Sequence, residues 1–139
     1  MNNLSLSKSS LKFHHLGVAC RDVEKELSIW APLGYGPEGS TFVDSNQGVR
    51  GLFLQGPGPR LELLEDLSGR KTVAPWLEKG VKVYHTAFVV NDIWKEIEFF
   101  IQKQARVVTP PIPGSAFDGR LIAFLMLKNL ALVELIEGS

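Results

Sequence analysis

The chain has 139 residues, 45% of them apolar, which suits one domain with a core of its own. Fifteen basic side chains balance fifteen acidic ones with no basic run, so the charge pattern does not point to nucleic acid. A single cysteine, Cys20, excludes an internal disulfide, and no apolar stretch approaches the roughly 20 residues that span a bilayer.

In chain order, the polar, serine-rich first twelve residues lack the apolar run of a signal peptide, and a cytoplasmic protein is expected. Residues 13–20 are apolar and β-rich and read as a strand. Asp22 follows where a helix N-cap belongs, because a short carboxylate accepts hydrogen bonds from the first free helix amides. Val23, Leu27 and Trp30 recur as one helical stripe, and Gly34 is placed to stop that helix. Strands are expected near 40–44, 48–55 and 60–66, then a short linking helix over 72–79. The order then returns. Residues 83–90 read as a strand, Asp92 as a cap, and Ile93, Ile97, Phe100 and Ile101 as a helical stripe. Further strands fall near 106–109, 119–127 and 130–137. The segment 110–119 holds three of the eight prolines and two glycines, and reads as an irregular rim loop.

The return is a duplication. Set residues 13–30 (FHHLGVACRDVEKELSIW) above 83–100 (VYHTAFVVNDIWKEIEFF), and His15 falls on His85, Asp22 on Asp92 and Glu26 on Glu96 at an offset of 70. Residues 61–65 match 133–137 in the same order at an offset of 72. Two βαβββ modules are therefore expected, 11–67 and 81–137, within a single domain over 1–139.

Strand alternation puts His15, Gly17 and Ala19 on one face, and Leu16, Val18 and Cys20 on the other, under the helices. His85 shares its face with Ala87, and the small neighbours of both histidines leave space for a ligand. In a regular strand His14 points away from His15. Glu62 and Glu65 face opposite ways, as do Glu134 and Glu137, so one of each pair must enter the interior or a cavity. A buried carboxylate is costly, and a cation offsets that cost. Two neutral imidazoles with two carboxylates around a divalent ion make a formally neutral site, suited to Ni, Co, Mn, Fe or Zn better than Ca. An octahedral ion would keep two positions for water or substrate oxygens. Cys20 reads as core, Trp30, Trp76 and Trp94 as packing, and His14 as a partner or surface residue.

The stretches HHLGVACRDVEKELSIW, RLELLEDL, TVAPWLEKG, VYHTAFVVNDI and GSAFDGRLIAFLMLKNLALVELIE together resemble the vicinal oxygen chelate superfamily, and within it the methylmalonyl-CoA epimerases. The resemblance runs from about residue 13 to residue 137. It implies an α+β fold whose paired modules form a cupped mixed sheet around one divalent ion, with His15, Glu62, His85 and Glu134 as ligands. It also implies proton abstraction next to a carbonyl, with Glu134, or else Glu62, as base. Gln47, Arg50 and Arg120 are the candidate contacts to a small-molecule substrate such as an acyl thioester. Where the epimerases carry a glutamate before a Gln-Gly pair, this chain has Asn46 before Gln47 and Gly48, and an amide does not titrate near neutral pH. The alternatives are a glyoxalase I-like lyase and a non-catalytic binding protein like the bleomycin resistance proteins. A homodimer is expected, with neither nucleic acid nor membrane as partner.

Overall fold

The computed structural model describes residues 10–138, so most of the serine-rich start lies outside the described residues. The elements are β1 (Lys12–Ala19), α1 (Val23–Trp30), β2 (Gly36–Asp44), β3 (Val49–Gln55), β4 (Leu61–Asp66) and α2 (Ala74–Glu78), followed by β5 (Val83–Val90), α3 (Ile93–Gln102), β6 (Arg106–Pro113), β7 (Leu121–Met126) and β8 (Leu132–Glu137). All eight strands form one sheet in the order β2-β3-β4-β1-β5-β8-β7-β6. The sheet is mixed: β1 pairs with β4, and β5 with β8, in parallel, while the central β1–β5 pair is antiparallel. Read outward from that central pair, the two halves are the same. Both lie in one chain, so no exchange between copies is needed to bring His15 beside His85.

The helices α1 and α3 cover one face of the sheet for the reason their stripes suggest. Val23, Leu27 and Trp30 of α1 pack on Leu16, Val18 and Cys20 of β1 and on Leu52, Leu54, Leu61 and Leu63 beyond. Ile93, Ile97 and Phe100 of α3 pack on Phe88, Val90, Ala123, Leu125, Val133 and Leu135. Cys20 is buried in this layer, and burial pushes its thiol up to about 12, as befits an inert core residue. Each of these two helices starts on two carboxylates. Asp22 accepts from the amide of Lys25 at 3.0 Å, and Glu65 of β4 accepts from that of Val23 at 2.7 Å. Asp92 accepts from Lys95 at 3.1 Å, and Glu137 of β8 accepts from Ile93 at 3.2 Å. The outward glutamate of each strand pair thus satisfies a helix amide that has no partner within its own helix.

Several expectations need correction. The strand β2 begins at Gly36, and β6 runs on to Pro113, through the first part of the supposed rim loop. β6 is a sheet edge, where one side of the strand needs no ladder bonds and proline is tolerated. The helix α1 stops at Trp30, before a 3₁₀ turn over Ala31–Leu33 whose end is set by Gly34 at φ 105°. Ile101 and Trp94 do not join the core: they are 49% and 61% exposed, because Phe100 and Ile93 take the inward side of their turns. No helix among the described residues is long and apolar enough to cross a membrane.

The paired caps lead to a quantitative expectation. Replacing Asp22 or Asp92 by Ala should each cost about 1 kcal/mol. The sites belong to different helices, so the double variant should cost their sum within a few tenths of a kcal/mol. Urea denaturation monitored by circular dichroism measures both.

Candidate metal centre

The concave face of the central strands carries a cluster that nothing in the apolar core explains. His15, Glu62, His85 and Glu134 are 0%, 4%, 3% and 2% exposed, and one donor atom from each lies within 4.8 Å of all the others. His15 Nε2 is 2.9 Å from Glu62 Oε1 and 3.3 Å from Glu134 Oε1. His85 Nε2 is 3.2 Å from Glu134 Oε1 and 3.6 Å from Glu62 Oε1, and the two Nε2 atoms are 3.2 Å apart. One histidine comes from each central strand and one glutamate from the strand beside it. The register puts Glu62 opposite Gly17, and Glu134 opposite Ala87.

The small residues do a job other than the expected one. Gly17 stands across from His85, and Ala87 across from His15, so each makes room for the other module's imidazole. A Cβ at Gly17 would lie 2.0 Å from His85 Cε1.

His14 also departs from expectation, because β1 is not regular. The β1–β5 pairing steps from Phe13 opposite Phe88 to His15 opposite Ala87, which leaves His14 as an extra residue in a bulge. Tyr84 is the extra residue of a second bulge, at the equivalent place in β5. The His14 ring sets its edge against His15 at 5.1 Å, with the two Nδ1 atoms 2.8 Å apart. Tyr84 meets His85 in the same manner at 4.6 Å.

The alternating repeat also hid a pair of aromatic walls. Phe53 is opposite Glu62 and packs on His15 at 5.3 Å, while Phe124 is opposite Glu134 and packs on His85 at 5.2 Å. Their separation of 71 continues the repeat, so extending the alignment through the middle strands would have found them.

The electrostatics follow from two carboxylates enclosed together. Burial disfavours the charged form of His15, but Glu62 and Glu134 outweigh it and lift the imidazole to about 9. His85 is raised for the same reason, against the same opposing burial. Burial would push Glu62 up, yet the two imidazoles hold it down at about 2, and Glu134 is lowered likewise. His14 is driven down to about 4 by burial and by the charge on His15, so it stays neutral and accepts the His15 Nδ1–H. Two protons on the imidazoles therefore balance two carboxylates. One divalent cation would supply the same charge while leaving both imidazoles neutral, as ligation requires.

The donor set fits such an ion in a second respect. Glu134 Oε1 lies close to both Nε2 atoms but accepts a well-oriented hydrogen bond from neither. Buried acceptors are seldom left so. With the imidazoles deprotonated, the four donor atoms, all within 4.8 Å of one another, would turn their lone pairs toward one cation.

A cavity of about 320 Å³ opens along the concave face beside this cluster. Tyr84 and Phe124, which touch the His85 ring, form part of its wall, together with Gln47, Thr72, Trp76 and Leu132. Asn46 is at its rim, and its side-chain amide donates to Pro113 O at 3.4 Å. Gln47 is held by Asp44, which accepts from its amide at 3.0 Å, from its Nε2 at 2.9 Å, and from Ser115 N across the cup at 3.3 Å. The two arginines singled out in the sequence are elsewhere. Arg50 lies on the helix-covered face, bound to Glu24 and Glu65, since its place in β3 alternates with Phe53. Arg120 donates to Phe117 O at 3.2 Å and lines a separate cleft of about 210 Å³ with His14, Phe53 and Arg60.

This arrangement has counterparts among known proteins. A family model described as the Glyoxalase/Bleomycin resistance protein/Dioxygenase superfamily matches residues 14–124. The ethylmalonyl-CoA/methylmalonyl-CoA epimerase of Cereibacter sphaeroides is 27% identical over 128 residues, which is 89% of this chain and 96% of that protein. Among solved structures, a methylmalonyl-CoA epimerase in complex with methylmalonyl-CoA and ammonium is 31% identical, with a TM-score of 0.77 over 94% of this chain and 96% of its own. A hypothetical protein from Bacillus halodurans C-125 is 27% identical, with a TM-score of 0.80 over the same shares of the two chains, 94% and 96%.

Two expected outcomes follow from the cluster's geometry. Gly17→Ala should destabilise the protein by about 1–3 kcal/mol, because the added methyl overlaps a packed imidazole; the urea midpoint checks this. The second concerns pH in the presence of EDTA. His15 has a folded pKa above its unfolded value of 6.5, so its contribution to stability is complete below 6.5 and is lost as pH rises to about 9. His14 has a folded pKa depressed to about 4, so it favours the unfolded chain as pH falls below 6.5. Stability of the metal-free protein should therefore peak near the unfolded histidine value and decline on both sides, by roughly 1–3 kcal/mol on the alkaline side. Denaturant titrations between pH 5 and 9 measure this, and a flat alkaline limb would contradict it.

Proposed function

The chain belongs to the glyoxalase/bleomycin resistance protein/dioxygenase superfamily, and from that premise we propose that it is a metal-dependent, epimerase-like isomerase. Its reaction is the removal of a proton from the carbon next to the carbonyl of an acyl thioester. The observation that carries this reading is the convergence of two imidazoles and two buried carboxylates, with Glu134 Oε1 unpartnered, against the wall of a cavity. Similarity to epimerases over nearly the whole chain supports it.

His15, Glu62, His85 and Glu134 would hold the ion, and their mixed nitrogen and oxygen donors suit Ni, Co, Mn, Fe or Zn. When bound, the ion supplies Lewis-acid stabilisation of negative charge developing on the substrate carbonyl oxygen. The chain's own residues do the rest. Phe53 and Phe124 shield the cluster from water, and His14 holds His15 in the tautomer that turns Nε2 inward. Glu134 pairs across the ladder with the wall residue Phe124 and is two residues from the wall residue Leu132. Of the two carboxylates, Glu134 would be the one that takes the proton. Asn46 offers no titrating group at the rim, so inversion would draw the second proton from solvent in the cavity instead of from a second carboxylate, and would be slower than exchange.

The test uses protein purified without a metal-affinity tag, loaded with each of the five ions in turn. Exchange of the α-proton in deuterated water is followed by NMR across acyl-CoA thioesters and 2-oxo compounds. Exchange of methylmalonyl-CoA is expected to outpace its inversion. Glu134→Gln should slow exchange by about 10²–10⁴-fold, the usual loss of a general base. Exchange that survives this change would transfer the role to Glu62. Ion binding with no exchange on any substrate would favour a binding protein instead.

A further inference from the structure

The cavity beside the cluster has one charged side chain in its wall among the described residues, Arg70. The loop that carries it is tied down independently of its guanidinium. The Asp66 carboxylate accepts from the amides of Thr72 and Val73 at 2.8 Å each and of Ala74 at 3.0 Å, while Thr72 Oγ1 donates to Gln47 O. Arg70 N itself donates to Leu67 O at 3.0 Å. The guanidinium reaches back across the rim: its Nη1 donates to Ser45 O at 3.0 Å and its Nη2 to Asn46 O at 3.4 Å. It lies against Gly48, where a Cβ would be 2.5 Å from Cζ, so only a glycine lets it rest flat on the backbone there.

What the guanidinium lacks among the described residues is a carboxylate. Arg50 is paired with Glu24 and Glu65, Arg60 with Glu38, and Lys82 with Glu26. Among the described residues, the Arg70 guanidinium has backbone carbonyls as its only hydrogen-bond partners, which orient it and leave its charge uncompensated. The rest of the cavity wall is neutral, and the four-residue cluster with a divalent ion is also formally neutral. The cavity as a whole thus carries one positive charge, fixed at its mouth. An arginine presents paired donors to planar or tetrahedral oxyanions.

We propose that Arg70 is an anion receptor at the mouth of this cavity, so that the ligand is an anion whose charged group stays at the rim while its uncharged carbonyl part enters. This rests on the reading of the cavity as the substrate site. The anion is either a carboxylate on the acyl part or a phosphate on the carrier of the thioester, and the oxyanion chemistry is shared.

Trp76 lines the same cavity, and its fluorescence reports binding. Metal-free full-length protein in EDTA is titrated with malonate, with inorganic phosphate and with neutral malonamide, so that no ion contributes to anion affinity. Wild type should bind one or both anions, more weakly as salt rises, and should not bind malonamide. Arg70→Gln should weaken the anion about 10-fold or more, and Arg70→Lys should recover part of the loss. Binding of divalent ions by Arg70→Gln should match wild type, which shows an intact cluster. In the ion-loaded exchange assay, Arg70→Gln should raise KM and leave kcat nearly unchanged. If the anion is a carrier phosphate, the KM effect is confined to CoA thioesters and disappears with pantetheine thioesters. If it is an acyl carboxylate, the effect follows the carboxylate on either carrier. Equal anion affinity in Arg70→Gln and wild type, or no anion binding by wild type, would overturn the proposal. Failure of exchange on every thioester would sink the isomerase reading alone, since the anion titration does not depend on it.

Discussion

Two carboxylates enclosed with two imidazoles at the centre of a sheet are the arrangement on which the rest of this molecule depends. Glu62 and Glu134 are almost fully buried, and burial by itself would drive protons onto both. They remain anionic because the imidazoles carry the compensating charge. This is a costly device for a small domain, since leaving either charge unpaired is penalised heavily. The small residues, the bulges and the aromatic walls around it are what keep four polar groups within reach of one another and away from water.

The duplication explains how so short a chain assembles this. One βαβββ unit supplies a histidine on its first strand and a glutamate on its last, adjacent in the sheet because those strands pair in parallel. Antiparallel pairing of the two first strands then sets one imidazole over the other strand's smallest residue. Neither half holds a complete set of donors, so the cluster exists only when both halves share one sheet.

The halves have also diverged, and chemistry can be selective where they differ. The extra residue of the first bulge is His14, whose Nδ1 shares a hydrogen bond with its neighbour's ring nitrogen; that of the second is Tyr84, whose phenol burial pushes well above its ordinary range. Beyond Tyr84 is the larger cavity with Arg70 at its mouth, and beyond His14 the smaller cleft with Arg60 and Arg120. A symmetric cluster is thereby approached from two unlike sides. Only the Tyr84 side offers a sizeable volume in which a single positive charge meets otherwise neutral walls.

Much of this was legible in the residues before any coordinates. The period of apolar side chains distinguishes strand from helix, Asp22 and Asp92 mark the helix starts, and the offset of 70 pairs His15 with His85. Those signals are local or are repeated within the chain, so a linear reading reaches them. What the tertiary structure decided was non-local. Whether Glu62 or Glu65 turns inward depends on which face the helix covers, and Glu65 is taken by a helix amide 42 residues away. A bulge shifts His14 onto His15, and bulges depend on cross-strand register, which alternation within one strand does not encode. The sequence reading selects Arg50 as a substrate contact and passes over Arg70. Folding commits the first to Glu24 and Glu65 on the convex side and lays the second over Gly48 at the cavity mouth, because a side chain's role is set by the neighbours that burial brings to it.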